Sequence, residues 1–70
     1  MSKVIEITLN GSPFSIAAGE SLSGLIETMG LSGTRYAIEV NQEIVPRSQH
    51  DSFQLNGAEL VEIVQAIGGG

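Results

Sequence analysis

The residues able to do chemistry stand at the end of the chain. Gly68-Gly69-Gly70 follows the apolar run Val64-Gln65-Ala66-Ile67. Three consecutive glycines add nothing to a core. They offer instead a backbone without side chains, able to thread a narrow cleft and carry its terminal carboxylate into another protein. A terminal carboxylate titrates near pH 3.3–3.7 and is ionised at pH 7. It can attack a nucleotide α-phosphate where an enzyme aligns the pair and neutralises their charge. The acyl adenylate formed is open to a nucleophile. Glycine lets the backbone approach the nucleotide closely, and its achiral α-carbon cannot epimerise on activation. The competing reading is a frayed end with no role. The expected organisation is a folded domain over residues 1–67 and a flexible tail over 68–70.

No other group of residues forms a catalytic set. Ser48, His50 and Asp51 occur together, but alternate residues of one loop rarely assemble a nucleophile, a base and its orienter. His50 reads as a solvated loop residue. With one histidine and no cysteine, neither a zinc site nor thiolate chemistry is expected. The carboxylates follow no motif spacing. Phosphate-binding glycine loops need a helix after them, and Gly68–Gly70 ends the sequence. The expectation is a protein that another enzyme acts upon, rather than an enzyme, with no bound cofactor.

Composition narrows the partners. The net charge is −5, and only Lys3, Arg35 and Arg47 are basic. Nucleic acid, which attracts clustered cations, is excluded as the expected partner; a basic protein surface fits better. The start of the chain lacks the apolar core of a signal peptide. No apolar run approaches the roughly 20 residues that cross a bilayer. A cytoplasmic protein with no membrane partner is expected. With 41% hydrophobic residues in 70, packing alone can hold one small domain.

The elements that must carry the tail can be read in order. Ile5, Ile7 and Leu9 alternate with polar residues, as do Phe14 and Ile16; Asn10-Gly11 between them signals a two-strand hairpin. Pro13 suits an edge strand. Leu22, Leu25, Ile26 and Met29 recur at helical spacing, with Ser21 as N-cap and Gly30 as the left-handed stop. Gly24, inside that helix, points to close packing there or to a helix held by its apolar contacts. Tyr36, Ile38 and Val40 predict a third strand. Asn41-Gln42-Glu43 predicts a turn, and Ile44-Val45 a short return strand ended by Pro46. Residues 47–52 read as irregular or 3₁₀, with Phe53 and Leu55 as anchors and Asn56-Gly57 as a further turn. The last strand, Glu59 to Ile67, is apolar on both faces. Val61, Ile63 and Ile67 lie on one side; Leu60, Val64 and Ala66 lie on the other. One helix covers only one face of a sheet, so Leu60, Val64 and Ala66 are expected to form a partner-binding face. The class is α+β, a mixed sheet of four to five strands with one main helix on one face.

Asn41-Gln42-Glu43-Ile44-Val45-Pro46-Arg47, the helix residues Leu22, Leu25 and Ile26, and the ending Val61 to Gly70 together resemble the ThiS family of sulfur carriers of thiamine biosynthesis. The resemblance covers nearly the whole chain; Asn56-Gly57-Ala58 departs from it, many members being acidic around that glycine. It implies a β-grasp, ubiquitin-like fold with the first and last strands adjacent and parallel. It implies that an E1-like (ThiF-like) adenylyltransferase activates Gly70 with ATP, and that a sulfur-donating protein supplies the sulfur. The resulting thiocarboxylate serves a thiazole synthase (ThiG-like). Gly70 then bears the sulfur, and Gly68 and Gly69 thread the partner's active site. The alternatives are a MoaD-like carrier for molybdopterin synthesis and a noncatalytic ubiquitin-like binding module.

Overall fold

In the computed structural model, which describes residues 3–65, the chain begins as a hairpin. Strand β1 (Val4–Leu9) pairs antiparallel with β2 (Ser12–Ala17), Leu9 facing Ser12. Asn10 and Gly11 make the turn at φ 49° and 84°. Left-handed geometry at both central positions matches the natural twist of a hairpin, and Asn-Gly tolerates it best. Pro13 sits on β2, an edge strand, where its missing N–H breaks no ladder.

Helix α1 (Leu22–Thr28) crosses next, burying Leu22, Leu25 and Ile26. Each such side chain contributes about 1.5–3 kcal/mol. Their sum outweighs the roughly 1 kcal/mol that Gly24 costs the helix. The Ser21 side chain accepts from Gly24 N at 3.0 Å, and Gly30 closes the far end at φ 73°. The first helical N–H groups have no intrahelical acceptor. Phe53 O takes the Leu22 N–H and His50 O takes the Ser23 N–H. The segment around residues 47–53 is thereby docked onto the start of the helix.

Strand β3 (Tyr36–Val40) turns through Asn41 and Gln42, both at positive φ, into β4 (Glu43–Ile44). The return strand therefore starts one residue earlier than Ile44-Val45. Val45 leaves the ladder and enters the core, its N–H still bonded to Ile38 O at 2.9 Å. Pro46, with φ −58°, precedes a 3₁₀ turn over Arg47–Gln49; its ring fixes the φ that such a turn needs at its entry.

Strand β5 (Leu60–Gln65) completes a sheet in the order β2-β1-β5-β3-β4. It lies parallel to β1 and antiparallel to β3. The core lies between one sheet face and α1: Ile7, Leu9, Ile16, Ile38, Val40, Val61 and Ile63 meet the helix residues, with Val45 and Leu55 closing the side. Leu55 is a buried anchor and Phe53 a half-buried one. The architecture is the α+β mixed sheet with one helix that the sequence predicts, with all five strands present.

Two local expectations are corrected. His50 is not a solvated loop residue: it is 4% exposed. Its Nε2 lies 2.9 Å from Val45 O, which makes Nε2 the protonated nitrogen. Its ring stacks on Tyr36 with centroids 5.8 Å apart. The 3₁₀ turn swings this side chain inward, which hydrophilicity along a loop does not reveal. At Asn56-Gly57, the left-handed residue is Ala58, at φ 67°; the turn closes through Ala58 N to Glu6 O at 2.8 Å.

Candidate functional site

The glycines singled out in the sequence follow β5 in the chain, so the candidate site is built from what surrounds that strand. Gly68, Gly69, Gly70 and Ala66, and the boundary between residues 67 and 68, lie outside the described residues. Leu60 and Val64 lie within them.

Side chains alternate across a strand. Val61 and Ile63 point into the core, at 1% and 8% exposure; Leu60 and Val64 point away from the helix, at 47% and 62%. Register assigns their neighbours on that outer face. Leu60 faces Thr8, Val64 faces Ala37, Glu62 faces Glu39, and Glu39 faces Ile44. Ile44 and Val4 are also exposed. The outer face is thus an apolar field, Val64 beside Ala37 and Leu60 beside Thr8, crossed by the Glu39–Glu62 pair. Like charges directly opposite one another weaken a sheet.

The side of β5 nearest the tail is braced by the Val45-Pro46-Arg47 segment. Tyr36 pairs with Gln65, the last described residue of β5. The Arg47 guanidinium lies over the Tyr36 ring at 4.8 Å, and its Nη2 donates to Thr34 O at 3.4 Å. Each residue of the segment has a structural task. Val45 fills the core, Pro46 sets the turn, and Arg47 covers the aromatic ring beside the end of β5.

The loop trio does not converge. Ser48 is exposed, His50 is buried against the Val45 carbonyl, and Asp51 accepts the hydroxyl of Ser23. A shallow groove beside β4 includes Glu43 and Glu59 in its wall. The Glu59 carboxylate is already engaged by Asn56 N–H at 2.6 Å and Asn41 Nδ2 at 3.4 Å. Among the described residues no cluster of three His, Cys, Asp or Glu side chains could hold a metal ion. No described helix is long and apolar enough to cross a membrane.

What sequence reading missed is the pair of asparagines that hold β5 by their side chains. Asn41 Oδ1 accepts from Leu60 N at 3.0 Å, and Asn10 Oδ1 accepts from Ile63 N at 2.8 Å. Both were legible only as turn residues.

Among the described residues, five strands, one α-helix and the parallel pairing of β1 with β5 define a β-grasp, ubiquitin-like protein. Its structure superposes on the crystal structure of a thiamine biosynthesis protein (ThiS) from Geobacter metallireducens with a TM-score of 0.80, covering 94% of this chain and all of that one at 23% identity. The ThiS family profile matches residues 7–70. The uncharacterized protein ycf40 of Porphyra purpurea is 34% identical over 70 residues, the whole of this chain and 99% of that protein. A thiazole synthase of Magnetococcus marinus is 35% identical over 66 residues, which are 94% of this chain and only 20% of that enzyme's length. The chain belongs to the ThiS family, the ubiquitin-like sulfur carriers of thiamine biosynthesis.

Proposed function

We propose that this chain carries sulfur on its C-terminal glycine and delivers it for assembly of the thiazole ring of thiamine. The observation that weighs most is the likeness to one fifth of a thiazole synthase. A unit of this kind travels within the same polypeptide as the enzyme that the carrier would serve, and a second thiazole synthase, from Paramagnetospirillum magneticum, shares it. The family match running through Gly70 supports the terminal glycine as the working residue.

The chemistry asks little of the carrier's own side chains. In the active site of a ThiF-like, E1-like adenylyltransferase, an oxygen of the Gly70 carboxylate attacks the α-phosphorus of ATP and pyrophosphate leaves. Hydrosulfide supplied by a sulfur-donating protein then adds to the acyl carbon, the bond to AMP breaks and the sulfur gives up its proton, which leaves a thiocarboxylate. The thiocarboxylate passes its sulfur to a ThiG-like thiazole synthase. The domain supplies recognition and presentation and acts as a cosubstrate. Leu60 and Val64, on the exposed sheet face, and Ala66 beyond them form the docking surface. Glu39 and Glu62 in that face favour a partner that brings basic side chains to it.

The test is mass spectrometry of the chain after incubation with the activating enzyme, ATP and a sulfur source. One oxygen-to-sulfur exchange at Gly70 is expected, and an unchanged mass would sink the proposal. Removing Gly69 and Gly70 should abolish the exchange while leaving the unfolding temperature unaltered; a plain binding module would keep its function. Deletion of the gene should create a thiazole requirement. Loss of molybdoenzyme activity instead would favour the MoaD-like alternative.

A further inference from the structure

We propose that Asn10 is the positioning residue for the working end of the carrier. Its side chain holds β5 at Ile63 and so fixes the root from which the residues leading to Gly70 are presented to a partner enzyme. This rests on the carrier function proposed above.

The ladder between β1 and β5 shows why a side chain is needed. The main chain of β1 and its turn runs beside β5 where Thr8 pairs with Leu60 and Leu9 with Val61, flanked by Thr8 N to Glu59 O at 3.0 Å and Asn10 N to Val61 O at 2.9 Å. The hairpin then carries the backbone away into β2. The next rung, at Ile63, is made by the Asn10 amide: Oδ1 accepts from Ile63 N at 2.8 Å and Nδ2 donates to Ile63 O at 3.4 Å. An amide group offers the same acceptor and donor as a peptide unit, so Asn10 extends the ladder by one step toward the tail. Strand β3 cannot substitute. In an antiparallel pair successive residues turn their backbone groups to opposite sides. Leu60 O accepts from Asn41 N at 2.7 Å on the β3 side, so Leu60, Glu62 and Val64 face β3, whereas Ile63 faces β1. Asn10 combines two properties that rarely coincide: it tolerates the left-handed turn at φ 49° and carries an amide of the right reach. Asn41, at φ 52°, grips Leu60 at the opposite end of β5 and serves as the control.

The experiment compares the wild type with Asn10→Gly, Asn10→Asp and Asn41→Gly by amide exchange at Ile63 and by steady-state adenylation with the ThiF-like enzyme and ATP. Glycine suits the turn, so Asn10→Gly keeps the hairpin. In Asn10→Gly, exchange at Ile63 and the KM for the carrier should both rise about fivefold, the worth of a hydrogen bond of this kind. The kcat should hold, because what is lost is binding geometry rather than the reaction step. Asn10→Asp, which can still accept from Ile63 N, should restore protection. Asn41→Gly should leave both readouts at Ile63 and in KM unmoved. Unchanged protection in Asn10→Gly, or a KM equal to wild type, overturns the proposal; so does an equal KM rise in Asn41→Gly, which would mark general loosening. A wild type that is not adenylated defeats the carrier function instead, and the exchange data still decide whether Asn10 holds β5.

Discussion

At the scale of residues, buried polarity and backbone strain carry more consequence than charge. His50 is enclosed, bonded to the Val45 carbonyl and stacked on Tyr36, while its Nδ1 has no partner among the described residues. Truncation by His50→Ala opens a cavity and strands the Val45 carbonyl. A loss of about 2–4 kcal/mol is expected in urea unfolding, a large fraction of the stability of a small domain. Ala58 presents the opposite case. It holds φ 67°, where a Cβ crowds the following carbonyl and costs about 1–2 kcal/mol. Ala58→Gly relieves that crowding and loses part of the gain to unfolded-state entropy. A net stabilisation of about 0.5–1 kcal/mol is expected, read as a higher urea midpoint at unchanged slope.

At the scale of elements, α1 and β5 divide the work. The helix is short and survives its internal glycine through three buried side chains and the carbonyls of Phe53 and His50 at its start. Close packing against the core is not what Gly24 serves: the atoms nearest a Cβ placed there belong to the side chain of Glu20, whose flexible arm can move aside. Gly24→Ala should therefore raise stability by about 1 kcal/mol, seen as an increased unfolding temperature. Strand β5 is held by β3 along its length and by β1 and Asn10 on its other side. A central strand gripped on both edges gives a firm root, which the proposed function asks for if the terminal glycine is to reach a fixed depth in a partner's cleft.

At the scale of the molecule, one helix over five strands leaves a whole sheet face without a cover among the described residues, and the chain places Val4, Ile44, Leu60 and Val64 on it. Val64→Asp puts a charge where solvent already reaches, so stability should change by no more than about 0.5 kcal/mol. On the proposed function, binding to the ThiF-like enzyme should fall much further. Titration calorimetry beside thermal unfolding separates the two, and a variant that unfolds while its remaining folded fraction binds normally would return the face to the core. Much of this architecture was legible without a structure. Alternation along Ile5–Leu9 and Tyr36–Val40, the helical spacing from Leu22 to Met29, and Asn10-Gly11 each depend on neighbours a few residues away, so the local chain determines strand, helix and hairpin. The exposure of Leu60 and Val64 also followed, from counting one helix against two faces. The burial of His50, the strain at Ala58 and the hold of Asn10 on Ile63 did not. The last joins residues 53 apart in the chain, and such contacts are decided only when distant segments pack, because the same side chain makes a turn in isolation and a ladder rung once β5 lies beside it.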